Sequence, residues 1–107
     1  PPADYANDLA GGTVRAEDID LTARLMFMQQ AHKTYAGTST VCTGVAARIA
    51  GTVVHQVARP RDPVALRIGH PAGVIVTESV VRTRGAGLAV DRATLGRTAR
   101  LILEGII

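Results

Sequence analysis

The stretch Tyr35-Ala36-Gly37-Thr38-Ser39-Thr40-Val41-Cys42-Thr43-Gly44-Val45-Ala46-Ala47-Arg48-Ile49 decides the fold. It opens as a turn rich in Gly, Ser and Thr and continues as a short apolar helix that stops at Ala50-Gly51. Val41, Val45 and Ile49 recur at i, i+4 and i+8, one line along a helix. Only Arg48 carries a charge, so other elements should surround this helix. The single cysteine, Cys42, falls where turn becomes helix. Free N–H groups at a helix start, with hydroxyls and a thiol beside them, suit a carboxylate held next to a proton carrier. The competing reading is an ordinary N-capped core helix with a buried cysteine.

The totals narrow the function classes. The chain has 107 residues, 47% apolar and 20% charged, which fits one globular domain with a small core. Tyr5, Phe27 and Tyr35 are its only aromatic residues, too few for a surface that stacks on bases. The net charge of +3 comes from scattered arginines and Lys33, and a nucleic-acid partner is not expected. One cysteine excludes an internal disulfide and a Cys-rich zinc site. His32, His55 and His70 lack ligand-like spacing, so no metal is expected. No signal peptide or long apolar run appears, so no membrane partner and a cytoplasmic location are expected. The chain starts at Pro1 without Met, and a piece of a longer protein is expected.

Along the chain, residues 1–15 read as an irregular N-terminal segment, broken by Pro1-Pro2 and Gly11-Gly12. A first helix is expected from Ala16-Glu17-Asp18, whose acids suit a first turn, to His32-Lys33, whose basic groups suit an end. After the central helix the apolar period changes to two. Strands are expected at Thr52–Ala58, Val64–Ile68, Val74–Thr83, Leu88–Leu95 and Thr98–Glu104; a helix is the alternative for the last, and the preceding β-meander favours a strand. Between them lie turns at Arg59–Pro63, at Gly69-His70-Pro71-Ala72-Gly73 and at Arg84–Gly87. The fold class is therefore α+β: an antiparallel curved sheet wrapped around a central apolar helix.

Three motifs in order carry a resemblance. They are His32-Lys33-x-Tyr35-Ala36-Gly37-Thr38, followed by Val41-Cys42-Thr43 and Ala46-Ala47-Arg48-Ile49-x-Gly51-Thr52; Arg67-Ile68-Gly69-His70-Pro71-x-Gly73-Val74; and Gly96-Arg97-Thr98-Ala99-Arg100. Over residues 16–107 the chain resembles the C-terminal domain of the 2-methylaconitate cis–trans isomerases, the PrpF family. The resemblance implies one half of a diaminopimelate epimerase-like fold, in which two similar domains wrap sheets around helices and close on a cleft. It implies isomerisation of small unsaturated carboxylates such as 2-methylaconitate by proton removal and return, without metal or organic cofactor. The N-terminal domain that would face this one, with any partner base, is absent from the chain.

The residues can be assigned within that frame. Cys42 is the acid/base residue, and Ser39, Thr40, Thr43 and Gly44 form a cradle for a substrate carboxylate. His70 and Arg97 are placed at the cleft; Arg97 or Arg100 could grip a substrate carboxylate as a fork, but the two should point oppositely along a strand, so at most one of them faces a site. The competing readings are a tight structural turn for His70 and solvated arginines. Proton transfer needs groups at both reacting carbons, so the isolated chain is expected to be incomplete for catalysis. Its partners would be a small carboxylate and either the missing domain or a second copy in a homodimer. The alternative function is a non-catalytic α+β module that binds an anionic ligand or a partner protein.

Overall fold

Three strands near the C-terminus follow directly from the period-two pattern. The structure, a computed structural model, describes residues 1–106. In chain order the elements are β1 (Tyr5–Ala6), β2 (Thr13–Val14), a 3₁₀ turn (Ala16–Asp18), β3 (Leu21–Thr22), β4 (Met26–Phe27) and β5 (Gln30–Ala31). They continue with α1 (Gly37–Ala46), α2 (Val53–Val57), β6 (Ala65–His70), β7 (Gly73–Arg84) and β8 (Gly87–Leu95). β6, β7 and β8 are antiparallel neighbours joined by two-residue turns at Pro71-Ala72 and Gly85-Ala86. β3 adds to the outer edge of β6 in parallel, which gives the sheet order β3-β6-β7-β8. The expected α+β architecture, a largely antiparallel sheet with an apolar helix against it, is present.

α1 approaches this sheet through small residues rather than through its valines. Thr40, Thr43, Gly44 and, just past the helix, Ala47 are buried, whereas Val41, Val45 and Ile49 are half-buried and Thr38 and Cys42 are exposed. The Cα of Gly44 lies against Thr77 of β7, where a Cβ would come within 2.7 Å of Thr77 Cγ2. Ser79 Oγ donates to the Gly44 carbonyl at 2.8 Å. Hydrophobicity pointed to the valine line, but backbone proximity favours the face with the smallest side chains. The apolar core lies beside this contact: Leu21, Ala47, Ala58, Leu66 and Ile68, with Val54, Val57 and Ile75 packed on it.

Three sequence expectations are corrected. Residues 16–33 do not form a helix. Asp20, almost fully buried, accepts from Arg67 N (2.9 Å), Nε (3.2 Å) and Nη2 (2.7 Å), and its own N–H donates to the Arg67 carbonyl (2.8 Å). Those bonds hold residues 19–22 extended beside β6. The chain then reverses through Met28 and Gln29, both at positive φ (48° and 63°), to form the β4–β5 hairpin; two consecutive left-handed residues match the twist of a tight hairpin.

Thr52–Ala58 is a short helix, not a strand. Thr52 Oγ1 accepts from the His55 N–H at 3.1 Å as an N-cap and lies 2.6 Å from the Ala46 carbonyl. That cap ties α2 to the end of α1 and turns Val54 and Val57 onto the core. Thr98–Glu104 forms no strand: it follows β8 with no ladder partner among the described residues, and Leu101, Ile102 and Leu103 are 79–85% exposed.

Residues 1–15 carry the short β1–β2 ladder. Tyr5 anchors this segment to the β6–β7 turn, its hydroxyl 2.7 Å from the His70 carbonyl and 2.8 Å from that of Gly73. The Arg24 guanidinium stacks over the Tyr5 ring at 4.4 Å.

Candidate carboxylate cleft

α1 begins at Gly37, with Ala36 as its N-cap in extended conformation (φ −65°, ψ 145°). Alanine has no side-chain oxygen, and no side chain caps this end. The first helical main-chain bond runs from Thr40 N to Ala36 O at 2.8 Å, so the N–H groups of Gly37, Thr38 and Ser39 precede the ladder. They carry the positive end of the helix dipole.

This helix start opens into a cleft of about 550 Å³. Its walls come from four places in the chain. His32, Thr34, Tyr35 and Ala36 lead into α1; His70 ends β6; Ile75 and Leu95 face inward from β7 and β8; and Gly96, Arg97 and Thr98 follow β8. None of these lining residues is acidic. The cleft thus offers the helix-start N–H of Gly37, imidazoles, hydroxyls and a guanidinium, a set of donors that suits carboxylate oxygens.

The sequence-assigned residues divide into three groups, on the cleft, on an adjoining depression, and on neither. His70 and Arg97, distant in sequence, line this cleft together with the helix start. Cys42, Ser39 and Thr43 border an adjoining shallow depression of about 430 Å³, with Leu25, Tyr35 and Thr38. Cys42 is exposed and sits in the second turn of α1, not at its first residue. The N–H groups of Cys42, Thr43 and Gly44 therefore belong to the helical ladder and are not the free donors expected there; the N–H groups outside the ladder are those of Gly37, on the cleft, and of Thr38 and Ser39, on the adjoining depression. The Thr40 hydroxyl is spent inside the helix, donating to the Ala36 carbonyl at 2.9 Å. Thr43 Oγ1 pairs with the Tyr35 hydroxyl at 3.0 Å, and Gly44 faces Thr77 on the sheet.

Tyr35 belongs to both depressions, and sequence reasoning did not assign it, nor Thr34 and Thr98. The signal for Tyr35 was its place directly before the helix start. Burial pushes the His70 imidazole below its usual pKa, and Arg24 and His32 nearby act in the same direction; it is neutral at pH 7. Among the described residues, no group of three or more His, Cys, Asp or Glu could hold a metal ion. No described helix is long and apolar enough to cross a membrane.

The family model described as PrpF protein matches residues 1–107. This chain belongs to the PrpF family. Among its relatives, the 3-methylitaconate isomerase of Eubacterium barkeri is 53% identical over 107 residues, covering 99% of this chain and 27% of that protein. The 2-methyl-aconitate isomerase of Shewanella oneidensis is 36% identical over 107 residues, covering all of this chain and 27% of that protein. In structure the chain is similar to a crystal structure of methylitaconate-delta-isomerase, with a TM-score of 0.80 and 50% identity over 97% of this chain and 26% of that one. The PrpF family assignment and this match identify the α+β unit as part of a diaminopimelate epimerase-like fold. The chain spans about a quarter of the length of the curated relatives it matches.

Proposed function

We propose that this chain supplies the carboxylate-binding wall of a cofactor-independent isomerase that shifts a proton, and with it a double bond, in small unsaturated di- or tricarboxylates such as 2-methylaconitate. The observation that carries the reading is the uncapped start of α1 opening into a cleft with no acidic lining residue. The named activities of the relatives supply the reaction class.

In this reaction a base takes a proton from a carbon conjugated with the carboxylate. The electron pair of the broken C–H bond moves into the conjugated system and places negative charge on the carboxylate oxygens. The Gly37 N–H, at the positive end of the α1 dipole, stabilises that charge as it develops. The proton then returns to the other end of the system, so atoms and electrons balance. Arg97 holds a second carboxylate and fixes which carbon faces the base. Cys42 is the acid/base residue this chain can offer, from the adjoining depression, and the partner base comes from the rest of the polypeptide or from a second copy.

One observation favours the second reading, a non-catalytic carboxylate-binding module: the Cys42 thiol borders the neighbouring depression rather than the cleft wall. The test is double-bond migration followed by proton NMR in D₂O, for the isolated chain, for the same chain joined to an N-terminal PrpF domain, and for Cys42→Ser in each. The isomerase reading expects turnover only in the joined form, and a drop with Cys42→Ser. Turnover in neither form supports the binding module. Cys42-dependent turnover by a monomer of the isolated chain refutes the need for a partner base, and turnover by a dimer places two Cys42 groups across a two-fold axis.

A further inference from the structure

His70 is only 8% exposed, yet its ring is half used. The Ala72 N–H donates to Nδ1 at 3.2 Å, and among the described residues Nε2 has no hydrogen-bond partner. A ring nitrogen that accepts a main-chain N–H carries no proton, so the neutral imidazole has its proton on Nε2. His32, on the same cleft, repeats the device: the Thr34 N–H donates to its Nδ1 at 3.1 Å. In both cases the donor lies two residues downstream. Two turns far apart in sequence thus fix two imidazoles in the same tautomer at one cleft.

We propose that His70, supported by His32, is a carboxylate-recognition residue of this site: its Nε2–H donates to an oxygen of the carboxylate that also meets the Gly37 N–H at the start of α1. The inference rests on the proposed carboxylate reading of the cleft. It adds a specific donor and a reason for its geometry. A neutral donor held by its own turn is fixed before the ligand arrives, so little ordering remains to be done on binding.

Two substitutions separate the two nitrogens. In His70→Asn the amide oxygen can replace Nδ1 as acceptor for Ala72, and the donor into the cleft is lost. In His70→Gln the longer amide can replace the Nε2 donor, and the turn acceptor is lost. The probe is tricarballylate, a saturated tricarboxylate, titrated by calorimetry into the full chain joined to an N-terminal PrpF domain.

Tricarballylate binding to His70→Asn should weaken by roughly tenfold or more, the usual effect of removing a hydrogen bond to a charged group, with the thermal midpoint unchanged. His70→Gln should keep most of the affinity and lose thermal stability. The reverse pattern overturns the inference and makes His70 a turn residue only. No binding to the unsubstituted protein overturns the carboxylate reading and this inference with it. Binding that His70→Asn does not weaken overturns this inference alone. Should either variant fail to fold, ¹⁵N NMR of the unsubstituted protein decides: the His70 ring should show the Nε2–H tautomer without ligand and a shift of Nε2 on saturation with tricarballylate. An Nδ1–H tautomer, or no shift, refutes the proposal.

Discussion

Gly44→Ala tests the contact that seats the cleft. An added Cβ would stand 2.7 Å from Thr77 Cγ2, 3.0 Å from Oγ1 and 3.4 Å from Cβ. These are not the ends of a long flexible side chain. Thr77 is 1% exposed, and its hydroxyl donates to the Thr94 carbonyl at 2.6 Å. Helix propensity alone favours alanine by about 1 kcal/mol. Overpacking a well-filled contact costs about 1–3 kcal/mol, and a displaced Thr77 hydroxyl loses a bond worth about 1 kcal/mol. The net is a loss of about 1–3 kcal/mol. The assay is urea denaturation of the parent, Gly44→Ala, Thr77→Ala and the double variant. Thr77→Ala removes the methyl and the hydroxyl that collide, so the double variant should be more stable than the sum of the two single losses. A Gly44→Ala variant as stable as the parent, or simple additivity of the pair, would refute the reasoning.

Gly37→Pro should weaken tricarballylate binding by roughly tenfold or more through loss of one helix-start donor, with little change in thermal midpoint. Ala36 already has the extended backbone that a following proline requires, and proline is well suited to the first helical position; an unchanged affinity by calorimetry would remove Gly37 from the site. Asp20→Asn should cost about 1–3 kcal/mol in urea denaturation, below the range for a fully buried pair because the Arg67 side chain is 30% exposed. Burial acts to raise the Asp20 carboxyl, but the bonds and charge of Arg67 outweigh it and hold the carboxyl low. The Asp20 contribution is therefore complete above about pH 4 and lost as pH falls through the depressed value; Asp20→Asn should flatten that part of the acid limb.

The His70 imidazole is depressed mainly by burial, so the unfolded chain takes up its proton first as pH falls below about 6.5. Stability should decline from there and level off below the folded value. His70→Asn should abolish that decline, and an identical pH profile would show that His70 is not the group responsible.

What was legible in the sequence depended on how local the deciding interaction is. β6, β7 and β8 were legible because their alternation and two-residue turns lie within one another's reach. Residues 16–33 were not: Ile19, Leu21, Leu25 and Met26 fit a helix as readily as a strand, and Arg67, 47 residues away, captures Asp20 and settles the matter. For Thr52–Ala58, alternation suggested a strand, although threonine three residues before His55 was already an N-cap signal. In the site, His70 and Arg97 were assigned by motif, and the structure brings both to one cleft. The helix start was placed too late. Gly37, Thr38, Ser39 and Thr40 have poor intrinsic helix propensity, and it is the sheet contact of α1 that makes them helical.

Leu95 is the last residue of β8 in the ladder, paired with Thr77, and Arg97 follows only two residues later. The cation of the cleft is therefore attached to the sheet without being part of it. One residue inserted after Leu95 would carry Arg97 onward by about 3.3 Å and break no ladder hydrogen bond. The span between the α1 start and this guanidinium, and so the length of acid that bridges them, can drift independently of fold stability. On the proposed carboxylate reading, substrate range can be retuned by small changes after one strand, while the start of α1 stays where it is.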